Sequence, residues 1–147
     1  MQTTTNTSGQ LWAGVAKVDI TNTATEAIDD PLYARIEVAT NNDLLYVKAL
    51  ILRYDATTVV IITVDAVAIA EIGSIRNTYL ANVRAQLHKD LEIEPANVLI
   101  NASHCHGVVC QDIEARTLQA VEAATRDMVP VTIGVGSGYE DRIMENR

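Results

Sequence analysis

His104 and His106 are the residues of this chain whose type and spacing best fit chemistry. They stand two apart, just after Val98-Leu99-Ile100, a short apolar run of β-forming residues that follows Pro95. The run predicts a buried strand over Val98–Ala102, ending in a polar loop. Residues two apart in an extended segment point to the same side. The spacing therefore predicts that both imidazoles aim at one point while Cys105 faces away. In open α/β sheets, ligands bind beyond the carboxyl ends of the strands. Two histidines there fit a metal site or an acid–base pair.

Other polar groups are expected on the same edge. Asp65 closes a second apolar run, Val59 to Val64. It either caps a helix near Glu71 or holds an imidazole in orientation. Cys105 and Cys110 could join the histidines in a structural zinc site, although the usual Cys-x-x-Cys spacing is absent. The Gly134-Val135-Gly136-Ser137-Gly138 turn lacks the helix and spacing of a phosphate cradle, so close backbone packing at a strand end accounts for it better. The chain has neither a Gly-x-Ser-x-Gly elbow nor a P-loop lysine motif. His88 falls near a helix C-terminus, where positive charge is favoured, and reads as structural.

The elements that must position these groups are legible as patterns. Met1 to Gln10 is rich in Thr, Asn and Gln and predicts a flexible tail; residues 11–147 form a single domain. Leu11 to Ile20 alternates as a strand does. Thr21 to Asp43, with acidic clusters and Pro31, predicts a long excursion of little regular structure. Leu45–Tyr54 and Thr58–Asp65, joined through Asp55-Ala56-Thr57, predict an antiparallel hairpin. The second of these strands is apolar on both faces, as a strand covered on both sides is. Ile72, Ile75, Tyr79, Leu80, Val83 and Leu87 recur at helical spacing over Glu71 to Lys89, and Asp112 to Met128 repeats the pattern before Pro130. Val131 to Ser137 predicts a last strand. From Thr58 onward the order is strand, helix, strand, helix, strand, which implies right-handed crossovers. The expected fold is α/β: a mixed, largely parallel sheet with a β-hairpin and a β-α-β-α-β run, helices on the faces, and the three strand ends on one edge.

Composition bounds the function. Eleven Lys and Arg against 19 Asp and Glu give a net charge of −8, which argues against a nucleic-acid or anionic-membrane partner. Hydrophobic residues make up 48% and charged residues 20%, with no Phe and one Trp, so aliphatic side chains must fill the core. The apolar stretch Val59 to Ile72 is broken by Thr63, Asp65 and Glu71, too soon for a membrane span. The N-terminus lacks the basic and apolar regions of a signal peptide, and two cysteines make no disulfide framework. Reduced thiols favour a cytoplasmic setting.

Several of these segments form a series. Gly14-Val15-Ala16-Lys17-Val18-Asp19-Ile20-Thr21, Leu45-Tyr46-Val47-Lys48-Ala49-Leu50, Thr63-Val64-Asp65 and Asn97 to His106 resemble, in order, the N-terminal part of the neutral/alkaline (non-lysosomal) ceramidase family. Glu145-Asn146-Arg147 resembles the Asn-Arg motif that follows them. The resemblance covers most of the chain from Leu11 to Arg147. It implies a zinc-dependent amidase that splits the N-acyl bond of a lipid or other amide. In the family pattern His-Thr-His-Ser-Gly-Pro, the first histidine ligates zinc and the second contacts substrate. Those roles carry to His104 and His106, and the active-site arginine of the Asn-Arg motif carries to Arg147. The chain departs from the pattern at Cys105, Gly107, Val108 and Val109, and at Asn22, where a proline is usual.

The resemblance also implies that the remaining ligands, a further His, a Glu and a Tyr, come from later segments. Residues 1–147 contain none of them. A second polypeptide segment or a homo-oligomer would complete such a fold, and the chain alone would be a poor enzyme. The reading from another class is a catalytically silent α/β module used for assembly or regulation, and zinc content separates the two.

Overall fold

A computed structural model describes residues 9–22, 44–71, 73–140 and 142. Most of the predicted tail and excursion, and all of Glu145-Asn146-Arg147, lie outside the described residues. Seven elements follow in chain order: β1 (Leu11–Asp19), β2 (Tyr46–Tyr54), β3 (Thr57–Val64), α1 (Tyr79–Leu91), β4 (Val98–Ala102), α2 (Ile113–Arg126) and β5 (Val129–Val131). The sheet order is β4-β3-β2-β1-β5. The fold is α/β with a mixed sheet and two helices packed on it, the class the patterns predict.

The hairpin β2–β3 turns at Asp55-Ala56, where Asp55 takes a left-handed φ of 49°. β1 pairs antiparallel with β2, and β4 pairs parallel with β3, with Val60 opposite Val98 and Val64 opposite Ala102. β3 and β4 therefore end side by side, and the histidine loop leaves from that edge.

Three expectations are corrected. The last strand is not parallel to β3 and β4: it is short and runs antiparallel to β1, Ala13 opposite Val129 and Leu11 opposite Val131. The reason lies in α2. Its last turns already stand over the middle of β1, where Ala124 meets Gly14, and only Asp127 and Met128 separate it from β5. So short a link cannot carry the chain back to reverse it, and β5 continues in the direction of the helix. Its end, with the glycine turn after it, thus falls at the opposite edge from the histidines. Second, α1 begins at Tyr79, not Glu71; Glu71 is left-handed at φ 56°, which breaks a helix. The two helices pack on one face of the sheet among the described residues, as two helices set against five strands must. Val47, Ala49 and Ile51 of β2, Val60, Ile62 and Val64 of β3, and Val98 of β4 join Tyr79, Val83 and Leu87 of α1 and Ile113, Ala120, Val121 and Ala124 of α2 in one core. These strand residues share one face by the pairing register. Third, β3 is accordingly covered on one side among the described residues.

Local chemistry fixes the helices. The Glu92 and Ile93 N–H groups return to the His88 and Leu87 carbonyls with Glu92 at φ 55°, a left-handed (αL) helix end. His88 stands in that last turn, as expected. Inside, the Tyr79 hydroxyl and Thr117 Oγ1 share a hydrogen bond of 2.8 Å, and Thr117 also donates to the Ile113 carbonyl, so the polar groups buried between α1 and α2 are satisfied.

Gly14 is where α2 comes down on the sheet. A Cβ there would stand 1.9 Å from the Ala124 carbonyl oxygen, which belongs to helix backbone and cannot turn aside. Gly14→Ala is expected to cost about 3 kcal/mol by the usual scale of overpacking. For a chain of this size that lowers the melting temperature by roughly 6–12 °C, measurable by thermal circular dichroism.

Candidate functional site

The histidine loop is held at both ends. At its start, the Ser103 N–H donates to the Val64 carbonyl at 2.9 Å, and the Ser103 hydroxyl donates to Asp65 Oδ1 at 3.1 Å. At its finish, Val109 bridges to Thr21, the Asn22 N–H donates to the Val108 carbonyl, and the Cys110 N–H donates to the Ile20 carbonyl. Ser74 adds a hydroxyl bond to the Val109 carbonyl. The Asp19-Ile20-Thr21 stretch thus has a structural purpose: it continues β1 past the sheet and lays a second short ladder against the chain beyond the histidines. Thr21 Oγ1 also accepts from the Leu45 N–H at 2.8 Å, tying that ladder to the start of β2. Gly107 lies against Leu45, and a Cβ there would come within 2.6 Å of its side chain.

Between these anchors the backbone is strained at one residue. His104 adopts φ 62°, a region that non-glycine residues seldom enter and that clusters at functional sites. Its Nδ1 lies 3.1 Å from the Val67 carbonyl oxygen. A carbonyl can only accept, so Nδ1 carries the proton and Nε2 is left to bind something else. This is the arrangement by which a backbone carbonyl fixes the tautomer of a ligating histidine. The His106 ring stands 5.0 Å from that of His104, centroid to centroid, with the planes at 82°. Both histidines are exposed. The two rings meet by a left-handed turn at His104, not by the extended alternation that the spacing predicts.

Asp65 neither caps a helix nor touches an imidazole. Its carboxylate accepts from the Tyr46 N–H at 3.0 Å, from Lys48 Nζ at 3.1 and 3.2 Å, and from Ser103. It reaches the histidines only through Ser103, the neighbour of His104. Partial burial raises its pKa, but the bonds from Lys48, Tyr46 and Ser103 and the Lys48 charge outweigh that, and the carboxyl titrates below its ordinary value. Arg147 lies outside the described residues. Cys110 does not offer a thiolate: burial first, then the hydrogen bond and charge of Asp112, push its pKa to about 12. Among the described residues, no three His, Cys, Asp or Glu side chains form a group that could hold a metal. The donor chemistry of His104 suits one zinc ligand, with His106 beside it; the rest of a coordination shell is not among the described residues.

Reading the sequence missed Val67, Ser103 and Lys48 as supports of the site. Lys48 and Ser103 are polar residues beside the apolar runs of β2 and β4, a signal that was present. The Val67 carbonyl carries none, because any residue supplies one.

Comparison with known proteins adds a fold relation. The solved neutral ceramidase from Pseudomonas aeruginosa matches with a TM-score of 0.63 at 19% identity, over 82% of this chain and 22% of that one. A structure described as ceramidase complexed with C2 matches with a TM-score of 0.63 at 20% identity, over the same shares. At such identity the likeness is one of fold, and the chain spans about a fifth of the length of these neighbours. No protein-family profile matches the sequence, and no curated protein matches it. No helix among the described residues is long and apolar enough to cross a membrane.

Asp65→Asn is expected to cost about 1–3 kcal/mol, because charge-assisted bonds to Lys48 and Ser103 are lost together. The pH dependence has a definite sign. A carboxyl whose folded pKa is depressed contributes stability above the unfolded value, near 3.9, and loses it as pH falls through the lower folded value. Wild-type stability should therefore fall below about pH 4 more steeply than that of the variant, which urea titrations across that range will read.

Proposed function

We propose that this chain supplies part of the active site of a metal-dependent amide hydrolase of the neutral ceramidase type. The observation that carries the reading is the His104 geometry: a strained backbone and an Nδ1 committed to a carbonyl, which together present Nε2 next to His106. The ceramidase fold relation and the order of the resembling segments support it.

In this proposal His104 Nε2 is one ligand of a zinc ion. Zinc, when bound, supplies a water whose pKa is lowered to about 7 and thereby a nucleophile for an amide carbonyl. His106 lies beside that ligand, where it can hold the N-acyl substrate. Arg147, through the resemblance, is assigned to steadying the developing oxyanion. Asp65 acts at a distance, through Ser103, by fixing the first residue of the loop. A catalytic zinc usually takes three protein ligands. His104 is one and His106 at most a second, so a further polypeptide segment must complete the shell.

Zinc titration of untagged protein, followed by calorimetry, tests this. Wild type should bind weakly, and His104→Ala should lower the affinity at least about tenfold, since loss even of an outer partner of a ligand costs that much. Identical binding by the two would overturn the assignment and favour a silent assembly module. Amidase turnover on N-acyl substrates should be near background for the chain alone and rise with a completing segment.

A further inference from the structure

The face of the sheet turned away from the helices has an order that the site does not use. The pairing register sorts it into rows across the strands. Leu11, Tyr54 and Val131 make the first, with Thr57. Ala13, Leu52, Val59 and Val129 make the second. Val15, Leu50, Ile61 and Leu99 make the third. The fourth is polar: Lys17, Lys48, Thr63 and Asn101. Val15 is 69% exposed, Leu99 and Val129 56% each, and Tyr54 50%. A sheet with one solvated face normally alternates apolar inside with polar outside; here three adjacent rows break that rule, and the fourth restores it.

Charge is placed at the two ends of this patch. At one end Lys17 and Lys48 stand directly opposite each other, a repulsive pair relieved on one side by Asp65 and on the other by the Tyr46 ring, 4.3 Å from Lys17 Nζ. At the other end the β2–β3 turn presents Asp55, whose Oδ1 accepts from the Gly9 N–H at 3.2 Å.

We propose that this face is a self-association surface on which a second copy packs with its strands antiparallel to the first. A two-fold axis along the row of Ala13 and Leu52 brings apolar rows onto apolar rows. Val15 then meets Leu11 of the other copy, Leu50 meets Tyr54, and Leu52 meets itself. The same rotation sets Lys48 over the Asp55 turn of the other copy, twice by symmetry. The parallel alternative stacks lysine row on lysine row. The area suits the occupant: at about 4.8 Å per strand and 3.3 Å per residue the face covers roughly 550 Å² in plan, and more as accessible surface, near the 800 Å² per partner of a standard interface. Sheets so packed lie about 10 Å apart. The net charge of −8 disfavours an anionic lipid surface as the occupant. The inference is independent of the chemistry assigned to the histidines.

Analytical ultracentrifugation of the whole chain from about 1 to 200 μM, with carbodiimide cross-linking, tests it. The expected result is a concentration-dependent dimer whose dissociation constant rises at least about tenfold in Val15→Lys, a change at an exposed position that leaves the fold intact. Asp55→Lys should weaken the dimer too. Lys48 and Asp55 lie about 23 Å apart along one strand, so a zero-length Lys48–Asp55 cross-link joins two copies, and mixing isotopically labelled with unlabelled chains must yield mixed cross-links. A monomer across the whole range, which would leave the face to a different polypeptide layer, overturns the proposal. So does a dimer indifferent to Val15→Lys that lacks the cross-link.

Discussion

The Asp65 carboxylate is the constraint on which the rest of this edge depends. It stands one residue past β3, between the start of β2 and the end of β4, and draws a backbone N–H from the first, an ammonium from the same strand and a hydroxyl from the second. Its side chain is only 14% exposed, so these bonds act in a partly desolvated setting, where charge-assisted bonds are strong. Removing the charge weakens the bonds to all three donors at once. The carboxylate thus converts the parallel register of β3 and β4 into a fixed starting point for the loop, because Ser103 is bound to it on one side and to the Val64 carbonyl on the other.

From that fixed start the loop cannot run straight. Its far end is bound to Ile20–Asn22, beyond the end of β1, three strands away across the sheet. The chain must swing from the β4 position back over β3 and β2, with Gly107 passing against Leu45 where a side chain has no room. The left-handed backbone at His104 is the bend this path requires, and the Val67 carbonyl holds the ring that results. Strain of this kind, on the order of 1–3 kcal/mol, persists only where the surroundings over-determine it. Here the surroundings are the two anchored ends. The histidine geometry is therefore a consequence of the fold at long range.

That explains what could be read in advance. β4 appears over Val98–Ala102 as its apolar run predicts, and the β2–β3 hairpin and both helices are present, because hydrophobic periodicity and turn residues encode them locally. The placement of the two histidines at a strand end was legible for the same reason. The direction of β5 was not, since it depends on how far along β1 the helix α2 ends, which Gly14 and Ala124 decide by contact. Nor was the role of Asp65, whose partners Tyr46, Lys48 and Ser103 are remote in sequence. The start of α1 misled for a different reason: Ile75 is fully buried and fits the helical spacing, yet it sits in the loop before the helix. Burial alone produced the period there.

The two faces of the sheet divide the labour between folding and everything else. One face is closed by α1 and α2 and holds the core, so its residues answer to packing. The edge at the ends of β3 and β4 carries strain, exposed imidazoles and a depressed carboxyl, the features on which the proposed function rests. The open face carries apolar side chains that the packing of the described residues leaves in water, which is costly for a chain of this size. A sheet with one solvated face normally alternates apolar and polar residues along its strands, and three rows of this face do not. The lysines at one end of the face and Asp55 at the other would set the direction in which the proposed second copy lies.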